Sequence, residues 1–186
     1  MAKGETNLHE HLDRVLFDQV QIRDRVAEMG AEITREFAGE PLTIVAVLQG
    51  GALFMADLIR EIRLPLEIDS ISVASYHGAT ESSGTVTFHQ TRMPDIQGQN
   101  VLILDDILDT GRTMRAIKDK LRGECSPKSV RSVVLLSKSI ERAVPIEADY
   151  CGFAVGNEFV VGYGLDYQGR YRNLPVIGVL KEDFIE

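Results

Sequence analysis

The segment Val101–Thr113, VLILDDILDTGRT, carries the densest chemistry in the chain. Asp105 and Asp106 follow directly on four apolar residues, where two adjacent carboxylates lose hydration and need cationic or hydrogen-bonding partners. Asp109–Thr113 has the makings of a phosphate cradle. Gly111 lets the backbone come close, Thr110 and Thr113 supply hydroxyls, and a helix starting here directs free N–H groups and its positive dipole end at an anion. A lone Asp-Thr-Gly reads as well as a capped helix start, with Asp109 or Thr110 as N-cap. The acid pair just before it favours a functional site. Gln49-Gly50-Gly51, Lys138 and Asp166 also fall where apolar runs end. Alone, Lys138 reads as a solvated strand-end lysine and Phe159 as core. Neither GxxxxGK[ST] nor a GxGxxG after a first strand occurs, so the chain is not a P-loop protein and a dinucleotide-binding fold is disfavoured.

The elements that position these groups follow from hydrophobic period. Asp18 offers an N-cap to a helix whose inner face is Ile22, Val26, Met29, Ile33 and Phe37, ended by Gly39 and Pro41. Thr43–Gln49 is a β-branched and apolar run, as in a strand covered on both faces. Gly50-Gly51 breaks it, and a helix resumes at Ala52. Ile68–Tyr76 and Thr85–Thr91 alternate apolar and polar, predicting an antiparallel pair joined by the small polar loop HGATESSG. Val101–Leu104 and Ser129–Lys138 read as buried strands, with a helix between them that turns Met114, Ile117 and Leu121 inward. Two further strands are expected in DYCGFAVG and EFVVGYGLD. Strands alternating with helices predict an α/β fold with a doubly wound, mostly parallel sheet. In such sheets ligands bind beyond the carboxyl ends of the strands, where all the polar features above are expected.

Size and charge narrow the function further. At 186 residues a single domain is expected. A formal net charge of −8 argues against nucleic acid as a partner; the densest cationic stretch, Arg112–Arg122, reads as a helix with its charges on the solvated side. The two cysteines, Cys125 and Cys151, form no metal or disulfide pattern. Apolar runs fall well short of the ~20 residues that span a bilayer. A soluble cytoplasmic protein is expected.

The segment VLILDDILDTGRTM resembles the phosphoribosyl-diphosphate signature of the type I phosphoribosyltransferases. VLQGGALFMADL, SY before the polar loop, LLSK and EFVVGYGLDYQGRYRNLP occur in that family's order and cover nearly the whole chain. Lys138 and FVVGYGLD narrow the resemblance to the purine enzymes that act on 6-oxopurines, the hypoxanthine-guanine branch. It implies a core of about 40–165 within one domain, 1–186, with a hood from 1–39 and 166–186. It also implies a phosphoribosyl transfer from 5-phosphoribosyl 1-diphosphate to a purine base in purine salvage, with Mg²⁺ as cofactor and a homodimer or homotetramer.

The resemblance also implies roles. Asp105 and Asp106 bind the ribose hydroxyls, one directly or through Mg²⁺, and Asp109 accepts a proton near purine N7. Thr110, Gly111, Arg112 and Thr113 hold the 5′-phosphate. Lys138 donates to O6, Phe159 stacks on the ring, and the Val160 backbone meets the base edge. Asp166 binds a second Mg²⁺ through water. Gln49, Gly50 and Arg172 meet pyrophosphate, and Ser75-Tyr76 ride on a flexible loop that closes over the site. A non-proline cis peptide is implied at Leu48-Gln49. Two departures stand out: Gln49 replaces a common Lys, and Asp105 replaces a common Glu, one methylene longer. The alternatives from other classes are a regulatory protein of this fold that binds phosphoribosyl diphosphate or RNA, and a metal-dependent phosphohydrolase using the acid pair.

Overall fold

The computed structural model describes residues 7–75, 86–89 and 92–185; Tyr76 and most of the expected loop lie outside them. The chain runs β1 (Leu12–Phe17), α1 (Gln19–Glu36), β2 (Leu42–Leu48), α2 (Ala52–Glu61), β3 (Glu67–Ser75), β4 (Val86–Phe88) and β5 (Asn100–Leu108). It continues through α3 (Arg112–Cys125), β6 (Ser129–Lys138), β7 (Tyr150–Val155), β8 (Val160–Val161) and β9 (Ile177–Leu180).

Six strands form the main sheet in the order β4-β3-β2-β5-β6-β7. All neighbours are parallel except β3 and β4. The first expected antiparallel strand, β3, is thus also a full member of the parallel sheet. Alternation along each strand sends side chains to two cores. Leu42 and Ile44 of β2, with Leu102 and Leu104 of β5, pack with α1 and α2. Val45, Val47, Val101 and Ile103 pack with Met114, Ile117 and Leu121 of α3. Helices therefore cover both faces, as a doubly wound sheet requires.

α1 begins where the sequence places it. Asp18 accepts hydrogen bonds from the Val20 and Gln21 amides, and the Gln21 side chain accepts from the Asp18 amide. Such a capping box contributes about 1 kcal/mol. The apolar face of α1 lies in the core shared with β2 and β5.

β1, β9 and β8 form a second, antiparallel sheet of three strands. Here the structure departs from the sequence reading in two ways. EFVVGYGLD supplies only the two-residue strand β8, and that strand belongs to the small sheet. Positive φ at Gly162, Tyr163 and Gly164 stops it from continuing. α1 packs on the main sheet, while β8 joins the small one. A third correction concerns α3: Lys118 is buried, 8% exposed, and pairs with Asp149 at 2.9 Å rather than facing solvent.

Candidate active site

β2 and β5 are adjacent parallel strands, and their carboxyl ends open into one cavity of about 290 Å³. Its lining brings together ten of the residues named from sequence: Gln49, Gly50, Asp105, Asp106, Asp109, Thr110, Gly111, Thr113, Asp166 and Arg172. Val47, Leu48, Val73, Ile107, Leu108 and Met114 supply apolar wall; apart from Leu48, in the expected cis peptide, none of these had been named as a site residue. Arg112, Lys138, Phe159 and Val160 do not line it, Ser75 ends β3, and Tyr76 lies outside the described residues.

Gln49-Gly50 leaves β2 through a cis peptide at Leu48-Gln49, as expected. Gly50 sits hard against the acid pair: a Cβ there would lie 1.8 Å from Asp106 Oδ2. Any side chain would displace that carboxylate, so the position demands glycine. On the other side, the Gly164 carbonyl accepts from Arg172 Nη1 at 2.5 Å. Arg172 Nη2 pairs with Asp166 at 2.7 Å, and Asp166 also accepts from the Gly169 amide.

β5 runs through the acid pair to Leu108, so Asp105 and Asp106 are strand residues and not part of the following loop. Asp105 is 8% exposed and accepts from the Asp106 amide. Burial pushes the Asp105 carboxyl well above the usual carboxylate range, and the neighbouring Asp106 charge adds to the effect. Burial raises Asp106 too, against hydrogen bonds and the Arg172 charge that pull it down. The pair is thus short of positive charge.

α3 starts without a side-chain cap. Its N-cap is Gly111 at φ +80°, and neither Asp109 nor Thr110 caps it. No acidic residue stands in its first turn. The capped-start reading of Asp-Thr-Gly therefore fails: the positive dipole end of α3 carries no side-chain cap.

Register explains the next contact. Ile107 pairs with Leu136 and Leu108 with Ser137 along β5 and β6, so one step further Asp109 faces Lys138. Lys138 Nζ lies 2.9 Å from Asp109 Oδ2, with the lysine side chain only 14% exposed. This is not a solvated strand-end lysine. Phe159 differs from its lone reading as core as well. It is 46% exposed, edge-on to Tyr167 at 5.5 Å, while Val160 beside it is buried in β8.

Among the described residues no group of three or more His, Cys, Asp or Glu side chains could hold a metal alone. Asp105, Asp106 and Asp166 line one cavity without forming a cage. That donor set suits a hard cation such as Mg²⁺, which takes one or two carboxylates and completes its shell with substrate phosphates and water. The charge-poor acid pair fits it.

A model of the phosphoribosyl transferase domain matches residues 15–168. The chain is 44% identical over 176 residues to the hypoxanthine-guanine phosphoribosyltransferase of Streptococcus pneumoniae, covering 95% of this chain and 97% of that protein. A crystal structure of a hypoxanthine phosphoribosyltransferase from Staphylococcus aureus superposes with a TM-score of 0.90 at 44% identity, covering 96% of this chain and 98% of that one. The chain belongs to the phosphoribosyl transferase domain family, in its hypoxanthine-guanine phosphoribosyltransferase branch. It is also 44% identical over 180 residues to the bifunctional protein TilS/HprT of Listeria innocua, of whose length it spans 28%.

Proposed function

We propose that the chain transfers the 5-phosphoribosyl group of 5-phosphoribosyl 1-diphosphate to hypoxanthine, guanine or both. The products are IMP or GMP and pyrophosphate, a purine-salvage reaction. The observation that carries this reading is the Lys138–Asp109 pair, a donor and an acceptor 2.9 Å apart beside an uncapped helix start. A 6-oxopurine presents O6 and N7 side by side on one edge. With a proton on N7, that edge offers an acceptor to Lys138 and a donor to Asp109. Adenine offers an amino donor where Lys138 has only donors.

The reaction breaks the bond from the anomeric carbon to the diphosphate oxygen and forms one from that carbon to N9. Its transition state resembles an oxocarbenium ion. Asp109 receives the N7 proton as N9 attacks. Thr110–Thr113 and the α3 amides hold the 5′-phosphate, and Asp105 and Asp106 hold the ribose hydroxyls and the metal. Gln49, Gly50 and Arg172 meet pyrophosphate, and Asp166 would help hold a second Mg²⁺. Phe159, an exposed ring, stacks on the base, whose edge meets the Val160 backbone. Mg²⁺, when bound, supplies positive charge to the departing diphosphate. Fixed geometry lowers the entropic part of the barrier.

A regulatory relative that only binds phosphoribosyl diphosphate has no use for the half-buried Lys138–Asp109 pair, and a phosphohydrolase has none for Lys138. The same reading includes a homodimer or homotetramer in the cytoplasm; no described helix is long and apolar enough to cross a membrane. The test supplies phosphoribosyl diphosphate, Mg²⁺ and hypoxanthine. IMP and pyrophosphate in equal amounts are expected. Pyrophosphate without IMP, or neither product, overturns the proposal.

A further inference from the structure

β6 ends at Lys138 and β7 begins at Tyr150, yet no helix links these parallel strands. The residues 139–149 form an irregular segment tied to the site at both ends. Arg142, its side chain 11% exposed, donates from Nη2 to Ser137 Oγ at 2.6 Å and to the Lys138 carbonyl at 3.1 Å. Its Nη1 donates to Glu147 Oε1 at 2.6 Å. Farther along, the Val144 amide donates to the Thr110 carbonyl at 3.2 Å. A Cβ on Gly111 would meet Ile146 Cγ2 at 2.5 Å. Arg115 Nη2 on α3 donates to the Pro145 carbonyl at 3.2 Å.

One segment therefore grips Lys138 with one part and the Thr110–Gly111 turn with another. We propose that Arg142 is a positioning residue: it fixes the strand end that aims Lys138 at the base and sets its distance from the phosphate cradle. The inference rests on the role given to Lys138 under the proposed function. Arg142 itself stands in the second layer, bonded to backbone and to Ser137. The fork of the guanidinium suits the task, because it reaches the Lys138 carbonyl, Ser137 Oγ and Glu147 together, which an ammonium cannot do in a fixed geometry.

The test is a double-mutant cycle in the full chain. Arg142→Ala should lower kcat/KM for hypoxanthine by about tenfold, since slight misplacement of a reacting partner carries penalties of this order. The hypoxanthine-to-adenine ratio should shrink by a similar factor, while KM for phosphoribosyl diphosphate stays within about twofold. In a Lys138→Ala background, the same change should have almost no further effect on hypoxanthine. Arg142→Lys should move the constants in the same direction, and it replaces the alanine variant throughout if that one does not fold. Equal losses with and without Lys138, an unchanged base ratio, or a lysine variant as good as wild type would each overturn the inference. If the unaltered protein forms no IMP, the proposed function has failed first. If it forms IMP and the cycle is additive, only the role of Arg142 is lost.

Discussion

Asp109 Oδ2 lies 2.9 Å from Lys138 Nζ, and in the proposed reaction its carboxylate takes the N7 proton. Asp109→Asn keeps the size and most hydrogen bonds but removes the base. Single-turnover formation of IMP should fall roughly 10²–10⁴-fold, the usual share of general acid–base catalysis. Binding of phosphoribosyl diphosphate, measured by titration, should barely change, because amides and hydroxyls make its cradle. A near-normal single-turnover rate would reduce Asp109 to a structural partner of Lys138. The acid pair carries the second expectation at this scale. Two buried carboxylates whose protons are held tightly need an added cation to ionise together. Turnover should therefore vanish in excess EDTA and return with added Mg²⁺; full turnover with metal verified absent would contradict this. Asp105 and Asp106 were legible in the sequence because carboxylates placed straight after a buried apolar run lose hydration, a cost that a bound cation or substrate offsets, whereas Asp109 stood out only as the start of the Asp109–Thr113 cradle. Lys138 was legible as a polar strand end at the same edge, but its partner was not, since that depends on the β5–β6 register, which pairs residues about thirty positions apart.

Among the elements, the turn into α3 is set by one glycine. Gly111 has φ +80°, and an added Cβ would meet Ile146 at 2.5 Å and the Val144 carbonyl at 2.9 Å. Gly111→Ala should cost about 1–3 kcal/mol in chemical denaturation, the range for a left-handed non-glycine residue under strain. It should also raise KM for phosphoribosyl diphosphate. Loss of stability with unchanged KM would detach this turn from phosphate binding. The start of β7 carries an electrostatic expectation. Burial raises the Asp149 carboxyl, but hydrogen bonds from Lys118 and Ser132 outweigh it and leave the group below its usual value. A depressed carboxyl stabilises the fold above its unfolded value near pH 4, and that contribution is lost as pH falls through the folded value. Asp149→Asn should thus cost about 1–3 kcal/mol at pH 7, less than for a fully buried pair because the carboxylate is partly solvated. The gap between variant and wild type should narrow below about pH 4. A gap that does not change with pH would show that shape, not charge, matters there. β2, β5, β6 and the three helices were readable from period and caps. β8 was not, because a two-residue strand carries no period and its sheet is assembled from β1 and β9, distant in sequence. The segment 139–149 was silent too, since an irregular connection announces itself only through what it touches.

For the molecule as a whole, a net charge of −8 means that an anionic sugar phosphate is drawn in by local features rather than by the overall field. The uncapped start of α3 and Arg172 are those features, joined by the cation of the proposed function, and the doubly wound sheet gathers them by ending β2, β5 and β6 at one edge. The fold class was legible because alternating strand and helix periods admit few architectures. The small sheet was less so, as it is built from three separated stretches. In the proposed function this edge recognises a 6-oxopurine through Lys138 and Asp109 together. The most direct test measures kcat/KM for hypoxanthine and for adenine side by side, at saturating phosphoribosyl diphosphate and Mg²⁺. A site built around a hydrogen bond leaves buried groups unpaired with the wrong base, so hypoxanthine should be preferred by on the order of 10⁴-fold. Comparable values for the two bases would contradict the account.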